Sequence, residues 1–337
     1  MTDPQHMAPL AAFRGQKPPA PAWFDRALAR EPERTVVEVE GAKVEVLAWG
    51  ERGKPGLMFL HGGAAHADWW SFIAPFFADE RRVVASTFTG MGRSDWRAHY
   101  VFEQFVREAR TAGEAGGAFD AGKPVVVGHS FGGRVTMGLA RDFGGDIAGG
   151  VMVDPPFFAP QNFRPPAPPQ PSRLARVKPS LAEVVARFRL MPPQPCEHPF
   201  ILDAIARRSV REAVDEHGRP GFSLCFDPHF WERLPRIDPV PILAAARAPM
   251  ALIRGARSKL FKADDADYLL SFLPPGAPHV VIPEAEHHVM IDQPLAFMAA
   301  LRALLATWPR RRAAQTPPAR DQDEVMAGLS TFPDAPS

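Results

Sequence analysis

At 337 residues and 46% hydrophobic content, the chain is long enough for one large α/β domain carrying an insertion, or for two ordinary domains. A net charge of +1 gives no basic field for nucleic acid or an anionic membrane. Cys196 and Cys225 are too few for a disulfide framework and lack zinc spacing. The N-terminus has no secretory pattern, and no run of about 18 apolar residues could span a bilayer. The expectation is a cytoplasmic protein acting on a small molecule, with no metal and no cofactor. Nothing in the sequence sets an oligomeric state.

Residues 1–24 form a Pro- and Ala-rich arm, ending in Trp23 and Phe24, which are expected to dock on the body. Thr35–Glu40 and Lys43–Ala48 alternate at period two around Gly41 and predict an antiparallel hairpin. Leu57–Leu60 predicts a buried strand. It runs into His61-Gly62-Gly63, a glycine turn whose backbone N–H groups are free to face a cleft. Trp69 and Trp70 read as packing residues. Arg82–Ser86 predicts another strand. Phe88-Thr89-Gly90-Met91-Gly92-Arg93-Ser94 lacks the full phosphate-binding and dinucleotide fingerprints and reads as a structural turn. Val101–Ala112 predicts a helix.

Val125-Val126-Val127 then enters Gly128-His129-Ser130-Phe131-Gly132-Gly133, with a helical pattern from Arg134. This is G-x-S-x-G between a strand and a helix, a turn that lifts a serine hydroxyl clear of the sheet. A serine at its own pKa is a poor nucleophile and needs a base, an orienter for that base and donors for an oxyanion. Phe131 and Gly63 supply candidate N–H donors. Ala148–Val153 predicts the next strand and ends at Asp154. Pro165, Pro166, Pro168, Pro169 and Pro171 predict a stiff connector, followed by helices over Leu181–Leu190 and Pro199–Val214 and an aromatic stretch, Phe222–Trp231. Pro249–Gly255 and His279–Pro283 predict the last strands, and Leu295–Trp308 a final helix. The polar tail from Pro309 is expected to be disordered.

In order and spacing, strand-His-Gly-Gly, Gly-Met-Gly-Arg-Ser, Gly-His-Ser-Phe-Gly-Gly and a late histidine resemble the α/β-hydrolase superfamily over roughly residues 35–155 and 245–308. The resemblance implies a mostly parallel, doubly wound sheet with helices on both faces. Residues 25–154 and 241–308 would form the core, and 155–240 an inserted helical cap whose Phe188, Phe200, Phe226, Phe230 and Trp231 either line a pocket or form a small core. Pro283-Glu284-Ala285-Glu286-His287 matches the family's base motif, with His288 as the alternative. The family usually places its acid after the strand that here ends at Gly255, yet Ala256-Arg257-Ser258-Lys259 holds no carboxylate. Asp154, after the preceding strand, is preferred over Asp264 and Asp265. The implied function is a serine hydrolase with Ser130, His287 and Asp154 as triad, and Gly63 and Phe131 as oxyanion hole, cleaving a carboxylic ester, lactone or amide. A C–C bond hydrolase or cofactor-free dioxygenase would use the same frame, and a noncatalytic receptor the same fold.

Overall fold

The computed structural model describes residues 8–163 and 176–312. The proline connector at 165–171 and the first seven residues lie outside them; of the tail expected to be disordered from Pro309, residues 309–312 instead continue the last helix, and 313–337 lie outside the described residues. Contacts divide the chain into Met1–Ala300 and Leu301–Ser337. The sheet and every site discussed below belong to the first unit. The second holds the rest of the last helix, Pro294–Arg312.

Eight strands form one sheet: β1 Glu33–Val39, β2 Ala42–Trp49, β3 Gly56–Leu60, β4 Arg82–Ser86, β5 Val125–His129, β6 Gly149–Val153, β9 Met250–Gly255 and β10 His279–Ile282. Their order is β1-β2-β4-β3-β5-β6-β9-β10, antiparallel at β1/β2 and β2/β4 and parallel elsewhere. Strands β3 to β6 are buried along their whole length, as expected of apolar runs covered on both faces. From β3 the chain steps to β4 on one side, and from β5 to β6 on the other. The strand order therefore reverses between β3 and β5, and a crevice opens beyond their carboxyl ends. His61-Gly62-Gly63 and Ser130 lie at those two ends.

The helix after β5 begins at Phe131, earlier than Arg134. Gly132 and Gly133 are weak helix formers and mask its first turn in the sequence. Packing requires the first of them: a Cβ on Gly132 would stand 2.5 Å from the Leu60 carbonyl oxygen and 2.6 Å from that of His61. Trp23 and Phe24 dock as expected, Phe24 lying 5.9 Å from Phe72 and 4.9 Å from Phe200 between ring centroids. Trp70 stacks on Phe59 at 4.6 Å.

Between β6 and β9 the chain forms helices Leu181–Ala186, Pro199–Arg208, Phe230–Arg233 and Pro239–Ala244, and a two-stranded sheet of β7 Val210–Val214 with β8 Pro220–Leu224. The helix expected through Val214 stops at Arg208. Beyond it the Asp215 carboxylate accepts from the His217 and Arg219 N–H groups, and Gly218 takes a φ of 75°. That turn closes a hairpin, and the β-branched ends of Val210–Val214 suit a strand. The first helix likewise ends at Ala186. Phe188, Phe226 and Phe230 are buried, whereas Trp231 is 46% exposed. Among the described residues no helix is long and apolar enough to cross a membrane.

Candidate active site

Ser130 has φ 51° and ψ −115°, a conformation that L-residues seldom adopt, held where β5 turns into the helix from Phe131. The strain persists because the turn is pinned on both sides. The Ser130 N–H donates to the Val153 carbonyl on β6 at 2.9 Å, and the Gly133 N–H donates to the Ser130 carbonyl at 2.9 Å. Gly62 closes the other flank: a Cβ there would lie 3.3 Å from the Ser130 Cβ and 2.9 Å from His129 Nδ1.

His287 lies in the loop between β10 and the short helix Val289–Asp292. Its Nδ1–H donates to Asp154 Oδ1 at 2.7 Å. Asp154 follows β6 with φ 45°, its own N–H donating to the Ile253 carbonyl at 2.8 Å. The carboxylate is fully buried and ringed by donors. The Ser258 hydroxyl donates to Oδ1 at 2.7 Å and the Gly255 N–H to Oδ2 at 3.0 Å. Burial pushes the Asp154 carboxyl up to about 8, opposed by the Ser258 hydroxyl and the Gly255 N–H. Burial pulls His287 down to about 3, so the imidazole is neutral at rest.

One residue links the serine turn to the histidine loop. His129, beside Ser130, donates from Nε2–H to the His287 carbonyl at 3.0 Å, and the two rings lie 4.8 Å apart. The remaining ring nitrogen, Nδ1, is buried without a hydrogen-bond partner among the described residues. His61 braces the glycine turn from below. Its Nε2 accepts from the Phe88 N–H at 3.0 Å, which leaves Nδ1–H to donate to the Gly62 carbonyl at 2.7 Å.

Among the described residues neither the Gly63 N–H nor the Phe131 N–H donates to a protein acceptor. Both residues lie beside the indole of Trp231. A Cβ on Gly63 would stand 2.7 Å from its benzo edge, and the Phe131 ring centroid is 6.2 Å away.

The structure thus joins Asp154 to His287, and ties the His287 loop to the turn that carries Ser130. Asp264 and Asp265 are engaged elsewhere. Asp265 accepts from the Ala159 and Lys262 N–H groups and Asn162, and Asp264 accepts from Asn162. His288 turns away, its Nδ1–H donating to Gln194 Oε1 at 2.7 Å. Sequence reasoning missed Ser258 and His129. The available signal is a hydroxyl after the strand that ends at Gly255, where the family usually has a carboxylate, which fits a carboxylate arriving from the neighbouring strand.

Residues 57–301 match the alpha/beta hydrolase family. Lipase LipV of Mycobacterium tuberculosis is 32% identical over 112 residues, 33% of this chain and 41% of that protein. Epoxide hydrolase 4 of Mus musculus is 31% identical over 107 residues, 31% of this chain and 29% of that protein. The chain therefore spans less than half the length of these relatives. The solved thioesterase domain from the curacin biosynthetic pathway superposes with a TM-score of 0.65 at 20% identity, over 82% of this chain and 99% of that one, a likeness of fold. With a match across nearly three quarters of its length, on a strand order and turn geometry of the kind described above, the chain belongs to the alpha/beta hydrolase family.

Proposed function

We propose that the chain is a serine hydrolase that cleaves a carboxylic ester, or a lactone or amide, through an acyl-enzyme. The observation that carries this is the Asp154–His287 hydrogen bond in a loop fastened by His129 to the turn bearing Ser130. The kinship with a lipase is consistent with it.

In this mechanism Ser130 Oγ attacks the carbonyl carbon as His287 Nε2 takes its proton. The imidazolium that forms keeps its Nδ1–H on Asp154, whose ionised form, populated increasingly as pH rises towards 8, stabilises it more strongly than water would. The carbonyl oxygen becomes an oxyanion and accepts from the Gly63 and Phe131 N–H groups, each such donor lowering the barrier by about 3 kcal/mol. His287 returns the proton to the leaving alcohol, and water repeats the sequence to free the acid. The residues at 155–240 act as a cap, and Trp231 lays an apolar wall beside the oxyanion donors.

Fluorophosphonate labelling with mass mapping tests the assignment. The expected result is one adduct on Ser130, and a Ser130→Ala protein that neither labels nor turns over p-nitrophenyl butyrate. Full turnover by that variant would remove the serine from the mechanism.

A further inference from the structure

We propose that Gln194, a residue of the segment between β6 and β9, is a positioning residue for His287. It rests on the assignment of His287 as base. The Gln194 side chain is buried, 6% exposed, and every polar atom of it is used. Its Oε1 accepts from the His288 backbone N–H at 3.2 Å and from His288 Nδ1–H at 2.7 Å. Its Nε2 donates to both oxygens of Asp292, at 2.9 and 2.8 Å. Asp292 Oδ2 in turn accepts from the Glu286 N–H at 2.8 Å.

The bonds close around the base. Glu286 and His288 are the two chain neighbours of His287, and both backbone N–H groups end in this one network. The amide can face only one way, because two donors meet its oxygen and a carboxylate meets its nitrogen. His198, from the same segment as Gln194, adds a bond from Nε2–H to the Asp292 carbonyl at 3.2 Å. Among the described residues Gln194 makes no hydrogen bond to Ser130 or to His287. It acts by fixing the backbone on either side of the imidazole, where a displacement of an ångström costs about 100-fold in rate.

The donor pattern supplies its own rescue. Gln194→Glu sets two carboxylates against each other, and Asp292→Asn sets two amides face to face. In the double variant the carboxylate introduced at position 194 accepts from His288 and from the amide introduced at position 292, whose carbonyl still accepts from the Glu286 N–H. The experiment measures kcat and KM for p-nitrophenyl butyrate, the rate of Ser130 phosphonylation and the Tm of the full chain. Rates are normalised to the fraction of Ser130 that labels. Each single variant should lose about 10- to 100-fold in kcat and in labelling rate, with KM within about twofold, and the double variant should recover most of the loss. If a single variant does not fold, Gln194→Met takes its place, with the same loss in kcat expected. Normal kcat per labelled site in the single variants, whatever their Tm, overturns the proposal, as does a double variant no better than the singles. Failure of the wild type to label at Ser130 overturns the hydrolase assignment and this one with it. A labelled wild type with unaffected variants overturns this one alone.

Discussion

Asp154 has no access to water, so any charge on it must be met by fixed donors. Ser258, Gly255 and His287 supply them. The resulting balance makes a prediction about pH. Burial raises the carboxyl to about 8 even with the Ser258 hydroxyl opposing it. Ser258→Ala removes that opposition, so the carboxylate forms only at higher pH. At pH 7 kcat/KM should fall about 10-fold or more, the scale of one hydrogen bond to a buried charge, and recover as pH rises. A pH profile parallel to that of wild type would show that Ser258 does not tune the acid. Asp154 was legible in the sequence because no carboxylate follows Gly255 while one follows Val153. Ser258 was not, since a serine in a polar loop has many uses and only the approach of β6 to β9 gives it this one. Ser130 and His287 stood out because the conformations they need leave marks on the sequence: glycines around a strained serine, and a histidine soon after the last strand.

Elements of the sheet were legible for a different reason. Buried parallel strands are apolar on both faces, so β3 to β6 appear as short unbroken runs. The segment between β6 and β9 has no such regularity. Its short pieces are held by one another and by the body, as in the isolated bridges of Met91 with Phe226 and Lys178 with Phe222. Local propensity therefore overran the end of the Pro199–Arg208 helix and missed β7 and β8. Most of its aromatics turn inward, and Trp231 is the exception. Its indole leans against Gly63 and packs edge-on to Phe230 at 4.9 Å. Trp231→Ala should raise KM for apolar esters about 10-fold, the order expected for losing a partly buried aromatic surface, with little change in Tm. Ser130 labelling should persist. An unchanged KM across acyl chain lengths would place the acyl group elsewhere.

At the scale of the whole molecule, five histidines are buried among the described residues of the first unit. Burial pulls His61 down to about 3, His66 to about 4 and His287 to about 3, and pulls His129 and His288 well below 6.5. They are neutral when folded, but on unfolding each takes a proton below pH 6.5. Their contribution to stability is therefore complete above 6.5 and is lost as pH falls towards 3 to 4. Asp154 and Asp292, raised by burial to about 8 and about 7, act in the opposite direction, because they hold protons in the fold that the unfolded chain releases, and burial raises Glu45 and Glu108 in the same sense. The five histidines outweigh these four carboxyls. Urea unfolding should give a clearly lower free energy at pH 5 than at pH 7, each uncompensated histidine contributing about 1.4 kcal/mol per pH unit. Equal values would mean that the histidines do not stay neutral inside. The bond from His129 to the carbonyl of His287 spans 158 positions of the chain. During synthesis the serine turn is complete long before the ribosome delivers the imidazole, so, on the proposed mechanism, a nascent or prematurely terminated chain would carry Ser130 unarmed, and reactivity would arrive only once residue 287 has been added.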